Sequence, residues 1–251
     1  MIKFILAAVV LASSGFLVAQ ETEATKAEKN WSTDIELKAT EFTGNSKFRL
    51  IGLSSTTAWK FDSHTLSIIV AGENREDVSE RFDIFSFAIH DDYAIGSLPA
   101  KQTPWAAFAD LKYLRDTNRG IKQGNESAIG VGYNFWGPYK SEKDSLVLSF
   151  GLGYLDQQNT DDTNTHFGFV AGKVDYTNVL DNKATIKVSY SYNANVNDTE
   201  DYVSQASAGI ENPLGDGNSI AVRYVQDIDS TPVGTNVKAD SKTEILYKHS
   251  L

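Results

Sequence analysis

The stretch ATIKVSYSYN, from Ala184 to Asn193, decides the fold. Side chains of an extended strand point alternately to opposite sides, so Ile186, Val188, Tyr190 and Tyr192 share one face. Thr185, Lys187, Ser189, Ser191 and Asn193 share the other. A wholly apolar face backed by a wholly polar one suits a strand set between lipid and water. The same period recurs elsewhere. Leu146, Leu148, Phe150, Leu152 and Tyr154 oppose Ser149, Gly151 and Gly153, while Ile129, Val131, Tyr133 and Phe135 oppose Gly130, Gly132 and Asn134. Trp105, Ala107, Ala109, Leu111 and Tyr113 oppose Asp110 and Lys112 in the same way.

Looser alternation extends the series to 31–41, 48–61, 64–73, 82–95, 165–177, 201–211, 218–227 and 241–251, giving twelve segments separated by Gly, Asn, Asp and Pro. In 165–177, Phe167 and Phe169 fall off the register of Val170, Val174 and Tyr176. The expectation is an all-β chain: a single antiparallel up-and-down transmembrane β-barrel of twelve strands over residues 31–251, with ten strands as the alternative. With an even number of strands, both termini share one end. Connections at 62–63, 96–103, 137–144, 178–183 and 212–217 would then be periplasmic, and those at 42–47, 74–81, 115–126, 157–164, 194–200 and 228–240 external. The Gly-rich turn from Asn212 to Gly217 is not a phosphate loop, because no helix follows it.

The N-terminus supplies the export route. Lys3, the apolar run from Phe4 to Ala12 and the small residues near Ala19 read as a cleaved Sec signal peptide over residues 1–20. Residues 21–30 read as a flexible periplasmic lead-in. Beyond the signal no apolar run approaches the roughly 18 residues of a helical span, which a barrel does not need. Without Lys3 the chain has 22 basic against 33 acidic residues, so no cationic excess is available for nucleic acid. The absence of cysteine excludes a lipoprotein anchor, disulfides and thiol metal sites.

Aromatic rings with polar edges collect where a bilayer meets water. Trp59, Phe61, Trp105, Phe135 and Trp136 lie beside the expected periplasmic turns, and Tyr113, Tyr154 and Tyr192 toward the opposite ends. Two girdles favour a membrane barrel over a soluble sandwich. The face opposite lipid then carries Asp34, Glu36, Lys38, Lys60, His90, Asp92, Asp110, Lys112, Lys173, Asp175, Lys187, Arg223, Glu244 and Lys248, with acids and bases nearly balanced. Charges must face inward in any such barrel, so this pattern describes a hydrated, ion-paired interior first and a polar pore second. In the pore reading, Gly130, Gly132, Ser149, Gly151 and Gly153 leave open space on one wall, and Lys112, Lys187 and Arg223 attract anions opposite Asp92 and Asp110.

Signals of chemistry are weak. His90-Asp91-Asp92 invites a general-base reading, but alternation sends Asp91 to the other face. No histidine convincingly shares a strand and an outer end with a serine, and His64, His166 and His249 match no metal-ligand spacing. The acidic loop groups Asp156, Asp161, Asp162 and Asp198, Glu200, Asp201 lack the spacing of a calcium loop and read as solvated charge. No cofactor or metal is expected.

At Trp31 to Lys60 an opening Trp-Ser strand, then Phe42-Thr43-Gly44-Asn45-Ser46 and a long second strand ending at Trp59, resembles the start of the bacterial domain-of-unknown-function family 481, DUF481. Its members are often described as salt-induced outer-membrane proteins. The similarity of layout continues through Gly130-Val131-Gly132-Tyr133 and Gly151-Leu152-Gly153-Tyr154. The resemblance implies an outer-membrane barrel and carries no catalytic residues. One departure is the last strand, where His249 and Leu251 stand in place of the aromatic end that outer-membrane barrels usually show their assembly machinery. The expected function is structural or small-solute-permeating, in contact with outer-membrane lipid, lipopolysaccharide and the assembly machinery. The alternatives are an outer-membrane hydrolase of lipid or peptide and a soluble periplasmic β-barrel that binds a ligand.

Overall fold

Where no water can reach, each backbone N–H and C=O needs a partner in the protein, and a sheet meets that demand by closing on itself. The computed structural model, which describes residues 30–42, 49–61, 63–76, 81–95, 103–117, 120–136, 143–231 and 239–251, shows such a closure. Its strands are β1 (Trp31–Phe42), β2 (Arg49–Lys60), β3 (His64–Glu76), β4 (Arg81–Ala94), β5 (Trp105–Asp116), β6 (Ile121–Asn134), β7 (Asp144–Asn159), β8 (Asn164–Val179), β9 (Thr185–Asn195), β10 (Tyr202–Gly215), β11 (Asn218–Asp229) and β12 (Ala239–Ser250). Each pairs antiparallel with its sequence neighbours, and β12 returns to β1 with Tyr247 opposite Leu37 and Glu244 opposite Thr40. The signal peptide and nearly all of the lead-in lie outside the described residues.

Register fixes the two faces. Leu37, Ile51, Ile129, Phe150, Leu152, Val188, Ile210 and Ile245 all point outward. Ile51 is 75 % exposed and Ile129 68 %, so the outside of the barrel is apolar. The end that carries both termini also carries the connections at 61–63, 180–184 and 216–217 and is called the turn end; the other is the loop end. In the last of these connections Asp216 and Gly217 both have positive φ (50° and 75°), the backbone of a two-residue hairpin turn.

Strand lengths depart from the sequence expectation. Crossing a bilayer takes about 9–11 tilted residues, yet β7 and β8 have 16 each. The expected external loop 115–126 is mostly strand, because β5 runs to Asp116 and β6 begins at Ile121. Likewise 157–164 shrinks to residues 160–163. Past Tyr113 and Tyr154 the outward positions become Arg115, Asn125 and Asp156, so the apolar outer stripe ends and alternation vanishes while backbone pairing continues.

Phe167 and Phe169 sit off the apolar register because they point inward, where Phe169 is 3 % exposed. Its ring fills the hollow at Gly153, where an added Cβ would lie 2.2 Å from Phe169 Cζ and 2.5 Å from the Ser127 carbonyl oxygen. Phe108 covers Gly130 and Gly151 in the same manner: a Cβ on Gly130 would lie 2.5 Å from Phe108 Cζ and 2.2 Å from the Phe150 carbonyl oxygen. These glycines therefore do not leave open space in the wall, as the sequence suggested. They are seats for two inward rings, an aromatic-on-glycine packing that pins strand register.

Candidate functional site

The lumen is the polar surface that the twelve amphipathic strands share, and its residues come from alternate positions of every strand. The inward positions include each charged side chain expected there: Asp34, Glu36, Lys38, Lys60, His90, Asp92, Asp110, Lys112, Lys173, Asp175, Lys187, Arg223, Glu244 and Lys248. They fall into separate groups.

The largest joins β1, β3, β11 and β12. Glu244 is 1 % exposed and accepts from Arg223 through Nε at 2.6 Å and Nη2 at 2.5 Å. Lys38 Nζ lies 3.5 Å from Glu244 and also pairs with Glu73, two strands away. That reach is possible because β2 presents Gly52 between them. A Cβ there would stand 2.9 Å from Glu73 Cγ and 3.3 Å from Lys38 Cε. Lys242 lies 3.9 Å from Glu244 and 3.3 Å from Asp227, extending the belt toward the loop end.

Toward the turn end a second group surrounds a hollow floored by Gly209, Ala221 and Leu246. Lys187 donates to Glu211 at 2.8 Å, Ser219 donates to the same carboxylate at 2.7 Å, and Lys248 lies 2.8 Å from Asp34. Glu36 accepts from Ser54 at 3.4 Å. Across the lumen Lys173 pairs with Asp175 at 2.8 Å, and Ser189 donates to Asp175 at 2.8 Å.

His90 is held between Asp110 (Nδ1, 2.6 Å) and Asp92 (Nε2, 2.9 Å), its ring 6.3 Å from that of Phe108. Asp91 points outward, as alternation requires, 3.5 Å from His64. Both ring nitrogens are hydrogen-bonded to carboxylates, so neither is free to take a proton from water. Among the described residues no group of three side chains is arranged to hold a metal ion. In the β7–β8 connection, outside the spanning strands, the Thr163 hydroxyl donates to Asp161 at 2.6 Å and holds that carboxyl below the usual range.

Two expectations change. Lys187 and Arg223 are bound to Glu211 and Glu244, so they are not free attractors of anions; Lys112 stands opposite Glu126. The near balance of charge also fails. Register adds Glu73, Asp116, Glu126, Glu211, Asp227, Asp229 and Asp240 to the inward acids and, among the residues whose side chains are described, Lys242 to the bases. Among the residues whose side chains are described, the inward positions carry thirteen carboxylates against nine bases with His90 included. These acids lie where sequence alternation had faded, and only the cross-strand register recovers them.

On the outer face the aromatic residues form two bands. At the turn end Trp59 faces Trp31 in register, Trp105 and Phe135 each meet Tyr133 at 4.7 Å, Trp136 lies 6.0 Å from Tyr176, and Phe61 is exposed. Toward the loop end Tyr113 lies 6.1 Å from Phe85, Tyr192 lies 5.2 Å from Tyr202, and Tyr154 is exposed.

Fold and site together define a class: a closed twelve-stranded antiparallel barrel with an apolar exterior, aromatic bands and an ionised interior. Within that class the chain belongs to the family described as "Protein of unknown function, DUF481", whose model matches residues 21–248. No curated protein matches its sequence. Among solved structures it is similar to the NanC porin, with TM-score 0.60 and 9 % identity over 86 % of this chain and 100 % of that one. It is also similar to the KdgM porin (TM-score 0.48, 9 % identity, 87 % and 99 % covered) and to the outer membrane channel DcaP of Acinetobacter baumannii (0.46, 9 %, 92 % and 100 %). At such identity the likeness is one of fold.

Proposed function

We propose that this protein is an outer-membrane barrel of the bacterial envelope, exported by its Sec signal, that lets small hydrophilic solutes cross and carries out no catalysis. One observation carries the reading: charged groups that point into the barrel remain open to water. The Lys187 and Lys173 side chains are 57 % and 53 % exposed although both face inward, so the interior is not packed solid. A barrel serving only as an anchor needs no such hydrated space. Lipid and lipopolysaccharide would contact the apolar exterior, and β12, with Ile245 and Tyr247 outward, would be the strand shown to the assembly machinery. The hydrolase alternative loses support from His90, whose two nitrogens are occupied.

The test is conductance. Purified, refolded protein added to a planar lipid bilayer is expected to give small ohmic steps, and a folded preparation that gives none overturns permeation.

A further inference from the structure

We propose that the hollow above Ala221 binds an uncharged polyhydroxylated solute, a sugar or polyol, on its way through the barrel. This rests on the permeation reading above and names a solute class, and a seat for it, in the same lumen. Three register rows meet there. Glu36 lies beside Lys248 and Ser219, Leu246 beside Ala221 and Glu211, and Glu244 beside Arg223, Gly209 and Lys187, all of them pointing inward. Ala221 and Gly209 bring little bulk to the middle of this patch, so the long side chains around them form a rim over a floor that Leu246 completes.

The pairings of the rim decide what it can hold. Lys187 is paired with Glu211, Arg223 with Glu244 and Lys248 with Asp34. A passing anion must compete with those carboxylates, and a passing cation with the bases they hold. Hydrogen-bonding capacity of both kinds is nevertheless left over. An ammonium has three donors, a guanidinium five and a carboxylate about four acceptor positions. Lys187 uses one donor on Glu211, and Arg223 uses Nε and Nη2 on Glu244. Among the described residues Glu36 accepts only the long bond from Ser54 at 3.4 Å. A hydroxyl both donates and accepts, so neighbouring hydroxyls of one solute can donate to Glu36 and accept from Lys187 or Arg223 without breaking an ion pair. The C–H edge of the same molecule then rests on Ala221 and Leu246. Lys187 and Arg223 are open to the water from which such a solute arrives.

The experiment is the ion current through the full mature protein in a planar bilayer as glucose is added, with gluconate and glucosamine as anionic and cationic probes of similar size. Glucose is expected to block the current saturably, at a lower concentration than either charged probe. Ala221→Leu fills the hollow and leaves every charge in place, and should raise the half-blocking concentration of glucose by about tenfold. Glu36→Gln keeps the shape but weakens the acceptor, and should raise it by about threefold. Should Ala221→Leu fail to refold, Glu36→Gln alone carries the test. No block by glucose in a conducting wild type, tighter block by a charged probe, or a half-blocking concentration unmoved in folded variants would overturn the inference while leaving permeation intact. Folded wild-type protein that conducts nothing would overturn permeation, and saturation-transfer NMR with glucose on the same protein then decides the hollow: a signal lost in the variants supports it, and no signal overturns it.

Discussion

The two sides of the lumen are built on different principles. From β11 through β12 and β1 to β3 the wall is a belt of ion pairs around a carboxylate with almost no contact with water, Glu244. From β5 to β8, between charged positions such as Asp110, Glu126 and Lys173, the wall is glycine and aromatic ring, with Phe108 seated on Gly130 and Gly151 and Phe169 on Gly153. The first wall is held by charge over long side chains, the second by shape at van der Waals contact. The difference teaches that charges needed inside an apolar cylinder can be neutralised in a buried belt on one side while the other side narrows the space with rings seated on glycines.

Each wall should therefore fail in its own way. Glu244→Ala leaves Lys38 and Arg223 without their shared partner and should cost about 3 kcal/mol, the scale for breaking a buried pair, seen as a lower midpoint in urea unfolding from detergent or bilayer. Gly130→Ala and Gly153→Ala should cost about 2 kcal/mol each through overpacking. Truncating Phe169 should restore only part of the Gly153→Ala loss, because the Ser127 carbonyl oxygen also blocks the new methyl. Phe108→Ala should cost about 1 kcal/mol of apolar contact and raise single-channel conductance. Smallest should be Lys173→Met: its pair with Asp175 is open to water, so the unfolding midpoint should move by less than about 1 kcal/mol. Equal sensitivity of the Lys173 and Glu244 sites would erase the distinction between a buried belt and a solvated pair.

Much of this was legible in the sequence where physics imposes alternation. In β9, β7, β6 and β5 lipid outside and water inside leave a period of two, and the strands and the inward direction of Lys187 and Asp110 follow. Legibility ends where that constraint ends. Beyond Tyr154 the apolar outer stripe ends, so Gln157 and Asn159 read as loop although they are paired strand. Inward Phe108 and Phe169 mimic lipid-facing residues, because a lumen wall accepts an apolar ring when a glycine on the next strand receives it. Lys38 and Glu73 are 35 positions apart and meet only because Gly52 lies between their strands, a relation that register reveals and periodicity does not.

The central claim is that an apolar outer surface closes around a charged interior within a membrane. It is tested most directly by fractionating cells and running the outer-membrane protein on a gel in detergent, with and without boiling. The expected result is an outer-membrane protein whose unboiled form migrates apart from the boiled form, as a closed barrel that resists detergent should. Recovery in the periplasmic fraction without detergent, and with no heat-dependent shift, would contradict it.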